Sequence, residues 1–228
     1  MVLWFFTYKE IKAEKTATAK AVVKIPWMEL IKNRTVLGLI MCKFFQDYLF
    51  YLFVTWLPAY LIGELGFSAL RGGLFAALPF LLAGIADVAG GWLTDRLART
   101  RGLRVARCGL GAAAFSTSAA LVMGSTVAAD PVTKAILLAC AMGSADLSLS
   151  ACWAAPLDIA VAHAGVVTGF MNTFGNIGGF LCPIVVGWAV DRLHSWTVPF
   201  YIAAAVYAVG AIAWLAVDPE QTIDTRSA

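Results

Sequence analysis

A chain of 228 residues that is 61% hydrophobic and 14% charged, with mean hydropathy +0.79, lies far outside the composition of water-soluble domains. Its length leaves room for about six membrane helices of roughly 20 to 25 residues with their connections. The net charge of +3 comes from basic residues scattered over connections rather than gathered on one face, which argues against nucleic acid as a partner.

Taken in order, the chain opens with an apolar stretch, residues 1–8, that reads as the last turns of a membrane helix. It is too short for a secretory signal and runs into lysines without a small-residue cleavage site. Residues 9–34 form a basic connecting segment on the cytoplasmic side, in which Pro26-Trp27 reads as the start of a short interfacial helix. A six-helix domain is expected over residues 35–217, with spans at about 36–60, 72–93, 108–128, 135–157, 166–190 and 198–217. Residues 218–228 form a polar tail.

Between the second and third spans, Arg96, Arg99, Arg101, Arg104 and Arg107 crowd into one expected loop. With both chain ends cytoplasmic, thirteen basic residues fall on that side and three (Arg71, Lys134 and Arg192) on the other. That asymmetry agrees with the positive-inside rule. The five cysteines, Cys42, Cys108, Cys140, Cys152 and Cys182, are far apart and form no C-x-x-C pair, so they read as buried thiols. No zinc-protease helix, nucleophile elbow or phosphate loop is present. The expectation is therefore a protein that is not an enzyme, with neither metal nor cofactor.

Ionisable residues inside spans are expensive and normally face a cavity or a partner. Lys43 and Asp47 lie four apart on one helical face, at the spacing of an intrahelical ion pair. They read either as a self-neutralising pair, with Lys43 reaching for the interface, or as a cavity-lining pair that meets an anionic solute. Asp47 and Asp146 each stand about 11 residues into a span, which at ~1.5 Å per residue puts both near the midplane. Asp146 has no partner in its own helix; pairing with Lys43 and titration as an unpaired acid both remain open. Asp87 reads as an anchor for the arginine loop. Asn172 and Asn176, also four apart, either hydrogen-bond between helices or hold oxygens of a bound solute. Trp153, near Ser150, reads as packing bulk or as a stacking platform.

The stretch from Gly91 through Asp95 and Arg96 to Arg99 resembles the glycine–aspartate–arginine loop motif of the major facilitator superfamily, in the copy between helices eight and nine. It departs from the full pattern at Ala98, where glycine is usual, and at Thr100, where a second basic residue is usual. Three further stretches are similar to the anion:cation symporter family, of hexuronate or sugar-acid type. Lys43-Phe-Phe-Gln-Asp47 running to Trp56-Leu-Pro-Ala-Tyr60-Leu61 resembles its helix seven. Trp153-Ala-Ala-Pro-Leu-Asp158 resembles the end of helix ten, and Gly169 through Asn172 and Asn176 to Pro183 resembles helix eleven.

The resemblance implies an all-α integral membrane fold, the C-terminal six-helix half of a twelve-helix transporter, built as two inverted three-helix repeats. The carboxylates Asp47 and Asp146, each in the first helix of a triplet, fit that nesting. The resemblance also implies proton-driven symport of a small organic anion, held between this half and an N-terminal six-helix half absent here. Substrate contacts would be Ser150, Trp153 and one of Asn172 or Asn176, with Tyr48 as a further candidate. Lys43, Asp47 and Asp146 are the charge or coupling candidates, and Asp95 and Arg96 the gating residues in a motif that includes Gly91 and Arg99. The expected location is the bacterial inner membrane. The alternative is a half that transports nothing alone and acts only with a partner half.

Overall fold

Six helices long and apolar enough to cross a membrane make up the computed structural model, which describes residue 25 and residues 27–223. The expected helix end at 1–8, residues 9–24 of the connecting segment and residues 224–228 of the tail lie outside the described residues. The six are α1 (Arg34–Thr55), α2 (Ala69–Arg101), α3 (Val105–Val127), α4 (Pro131–Ile159), α5 (Val161–Leu193) and α6 (Thr197–Ala216). A short helix, Trp27–Lys32, precedes them and buries Leu30.

Local chemistry sets the ends. Asn33 accepts hydrogen bonds from the Thr35 and Val36 amides at the start of α1. Ser68 caps α2, and Asp130 accepts from the Thr133 amide at the start of α4, where Pro131 occupies a first-turn position that needs no N–H. The expected arginine loop is mostly helix. α2 continues to Arg101, Gly102 turns the chain with φ +88°, and helical backbone resumes at once. Only glycine takes that conformation without strain. The arginines and the leucines and alanines among them are good helix formers, and cations in a last turn suit its negative end.

Packing follows a twofold pattern. α1 packs against α5 as α2 packs against α4; α1 meets α6 as α4 meets α3; and α3 and α6 face each other. Exchanging the first three helices with the last three maps this set of contacts onto itself, as two inverted repeats require. Burial obeys the same exchange. In their apolar stretches 67% of the residues of α1 and 56% of those of α4 are buried, against 22% and 33% for α2 and α5. The axis pair is held by large rings, Phe115 of α3 lying 4.9 Å from Tyr207 and 6.3 Å from Trp214 of α6. At one end, Trp56 meets Trp196 and Tyr60 meets Phe200 edge to face, while Tyr60 lies tilted against Trp196; Trp and Tyr are enriched at membrane interfaces.

The symmetry breaks within the first helices of the two triplets. α1 is regular from Arg34 to Thr55, but α4 is interrupted after Asp146, where Leu147 and Ser148 form a turn before helix resumes at Leu149. Gly90 of α2 lies against the Leu147 carbonyl so closely that a Cβ would overlap it.

Candidate functional site

On α1, Lys43, Gln46 and Asp47 follow one another at i, i+3 and i+4, so all three project to one side. Lys43 and Asp47 form an ion pair whose side chains are only 8% and 15% exposed. Gly175 of α5 makes room for it: a Cβ there would overlap the Asp47 carboxylate and come within 3.1 Å of the Lys43 Cγ. Lys43 Nζ also stands 5.4 Å from the centroid of the Trp153 ring of α4, within cation–π range.

Gln46 spans the gap between the two triplets. Its Nε2 donates to Asp146 Oδ1 at 2.9 Å, while its Oε1 is buried without a hydrogen-bond partner. Asp146 therefore takes its hydrogen bond from an amide of the opposite triplet, and the Lys43 ammonium is bonded to Asp47 instead. Lys43, Asp47, Asp146 and Trp153 are thus brought together, around a residue that the sequence pattern does not single out. Gln46 carries no charge, and its spacing from Lys43 was the available signal.

Other candidates fall elsewhere. Ser150 Oγ lies 3.0 Å from both the carbonyl and the Oδ1 of Asp87. Asp87 thereby ties α2 to α4, rather than anchoring the arginine segment. Tyr48, one residue past Asp47, is rotated about 100° around the helix; it is buried and meets Cys182 of α5. Asn172 and Asn176 are exposed on α5. Asn176 Nδ2 donates to the Asn172 carbonyl at 2.8 Å, so the amide is tied to its own helix instead of bridging to another.

In the motif segment, Gly91 lies against Ser150. The Arg96 guanidinium sits 5.2 Å from the Trp92 ring, and Asp95 and Arg99 are exposed. Among the described residues no ion pair involves Asp95, Arg96 or Arg99. The arginine that does hold helices together is Arg107, which is buried rather than in a loop. Its Nε donates to Asp158 at 2.8 Å and its Nη1 to the Thr94 hydroxyl at 2.8 Å, and Thr94 donates to the Ala106 carbonyl. This cluster joins the end of α2, the start of α3 and the end of α4.

The family model of the Major Facilitator Superfamily matches residues 1–183. This chain belongs to that superfamily. Over 201 residues, 88% of the chain and 46% of the relative, it is 34% identical to a protein of Cupriavidus necator named "Probable sulfoacetate transporter SauU". It is 31% identical to a Pseudomonas putida protein named "Probable galactarate/D-glucarate transporter GudP", over 78% of the chain and 40% of that protein. A Bacillus subtilis protein named "Hexuronate transporter" is 27% identical over 93% of the chain and 53% of its own length. The chain therefore spans about half the length, or less, of these superfamily relatives, which are named for the transport of small anions.

Proposed function

We propose that the chain is the C-terminal half of a proton-coupled transporter for a small organic anion such as a sugar acid, working by alternating access against an N-terminal six-helix half. The observation that carries this reading is the group of buried Lys43 and Gln46 with half-buried Asp47, Asp146 and Trp153, which joins the first helices of two inverted repeats. Intramembrane charges at a repeat interface mark solute and ion pathways. The superfamily membership and the names of the relatives support an anionic solute.

In this reading a sugar carboxylate joins Asp47 on the Lys43 ammonium, and Trp153 is the flat apolar wall beside it. Asn172, exposed on α5, is the amide that bonds solute oxygens, and Ser150 and Tyr48 are the further solute contacts. The exposed Asp95, Arg96 and Arg99 beside Gly91 meet the other half and gate the cytoplasmic side. Both chain ends lie on that side of a bacterial inner membrane. The low burial of α2 and α5 supports a partner half covering them, and it equally supports the second reading, in which the chain transports nothing alone.

The test is uptake of radiolabelled glucuronate into vesicles holding the chain alone, or the chain with an N-terminal half, under an imposed inward proton gradient. Gradient-dependent accumulation with both halves and none with the chain alone is the expected result. No saturable uptake of glucuronate, galactarate or sulfoacetate in either preparation would contradict the reading.

A further inference from the structure

Asp47 and Asp146 occupy corresponding helices of the two repeats, yet their chemistry differs. Asp47 is neutralised by Lys43. Among the described residues no cation is bonded to Asp146; its partner is the neutral Gln46 amide. The other ionisable groups facing it are Lys43 and Asp47 from α1, Asp87 from α2 and Tyr207 from α6. Lys43 is bonded to Asp47, so the one cation among these groups is shared between Asp146 and a nearer carboxylate. Its opposite number is equally unusual: Gln46 is 4% exposed, and its Oε1 is a buried acceptor to which none of the described residues donates. A buried acceptor left without a donor is costly, and here it sits on the same amide that already holds the carboxylate.

A primary amide presents a donor on one side and an acceptor on the other. Turning the Gln46 amide over brings Oε1 to Asp146 Oδ1, where two oxygens at hydrogen-bond distance require a proton between them. We propose that Gln46 and Asp146 form a proton site in this half of the transporter, in which the Gln46 amide reads the protonation state of Asp146. In the charged state Nε2 donates to the carboxylate, as in the structure. In the loaded state a proton taken from the aqueous side forms an O–H bond on Asp146, the carboxylate becomes a neutral acid, and that O–H donates to Gln46 Oε1. Release to the opposite side breaks the same O–H bond and restores the negative charge.

The helix interruption at Leu147 and Ser148 directly follows Asp146, so the exchange sits at the joint between the two segments of α4. Lys43 and Asp47 stay paired throughout. The inference rests on the proton-coupled reading above and names the residues that would carry the coupling.

The test is infrared difference spectroscopy of the 228-residue chain in bilayers, comparing acid with alkaline buffer. A protonated-carboxyl stretch present in the unmodified chain, absent from Asp146→Asn and shifted in Gln46→Leu is the expected result. Asp146→Asn keeps the size of the side chain, and unchanged helical circular dichroism shows that each variant is folded. Absence of any carboxyl band that disappears in Asp146→Asn would overturn the proposal, and a band unmoved by Gln46→Leu would overturn the role of the amide. Because this readout needs no solute, a failure of the transport reading and a failure of the proton site give different results.

Discussion

The two triplets place a carboxylate near the middle of their first helix and then treat it in opposite ways. In the first triplet the helix is unbroken, the cation comes from one turn earlier in the same helix, and Gly175 lets α5 close over the pair. In the second triplet the helix is interrupted immediately after the acid, and its partner is an amide borrowed from the other triplet. A charge pair completed within one helix stays intact when helices move, whereas a contact between triplets is remade whenever they shift. Under the proposed function, that difference assigns Lys43–Asp47 to structure and solute binding, and Gln46–Asp146 to change of state.

The largest effect that would break this contrast is expected at Lys43. Lys43→Ala leaves Asp47 buried without its cation, and removing one partner of a buried pair costs about 3–5 kcal/mol. Thermal unfolding in mild detergent measures it, and Lys43→Met combined with Asp47→Leu should recover most of the loss. A double variant as unstable as the single one would mean that the pair is not self-contained.

Next in size are the two glycines that let the helices approach. Gly175→Ala drives a methyl into the Asp47 carboxylate and Gly90→Ala drives one into the Leu147 carbonyl. Overpacking of this kind costs about 1–3 kcal/mol. At Gly84, by contrast, an added methyl would meet nothing within 4 Å, so alanine should be accepted there without loss. Equal stability of all three variants would remove the close helix contacts from the account.

A smaller effect separates the two asparagines. Asn172→Ala should raise the apparent KM of the complete transporter several-fold, and Asn176→Ala should change it little, because its amide already serves its own helix. Uptake kinetics for the two variants decide this.

The smallest effect is at the cap of α4. The Thr133 amide and hydroxyl hold the exposed Asp130 carboxyl below its usual range. The cap's contribution is therefore present above the unfolded value and lost as pH falls through the lowered one, so acid below the ordinary Asp range should weaken the unmodified chain slightly more than Asp130→Asn. Melting temperatures measured across the acid range check the sign.

Much of this is legible in the residues. Hydropathy locates six spans, with ends up to eight residues from the observed ones at α2, and the spacing of Lys43 and Asp47 announces their pairing. The arginine segment is harder, because charge locates a membrane face without locating a helix end, so the helix running through Arg96 and Arg99 to Arg101 reads as a loop. Arg107 reads as part of the same loop, although its guanidinium is buried among three helix ends. The contact from Gln46 to Asp146 joins residues 100 positions apart, and a neutral amide gives no charge signal by which to find it. Ser150 lies one turn beyond Asp146 and still turns its hydroxyl to Asp87, a choice made by tertiary packing.

The most direct measurement of the contrast is glucuronate transport by vesicles holding both halves of the transporter, with Asp146→Asn compared against the Lys43→Met, Asp47→Leu pair. Asp146→Asn should keep solute exchange across the membrane and lose accumulation driven by a proton gradient. The double variant should keep the response to the gradient and show a raised KM. Gradient-driven accumulation that survives in Asp146→Asn, or disappears only in the double variant, would contradict the division of labour between the two triplets.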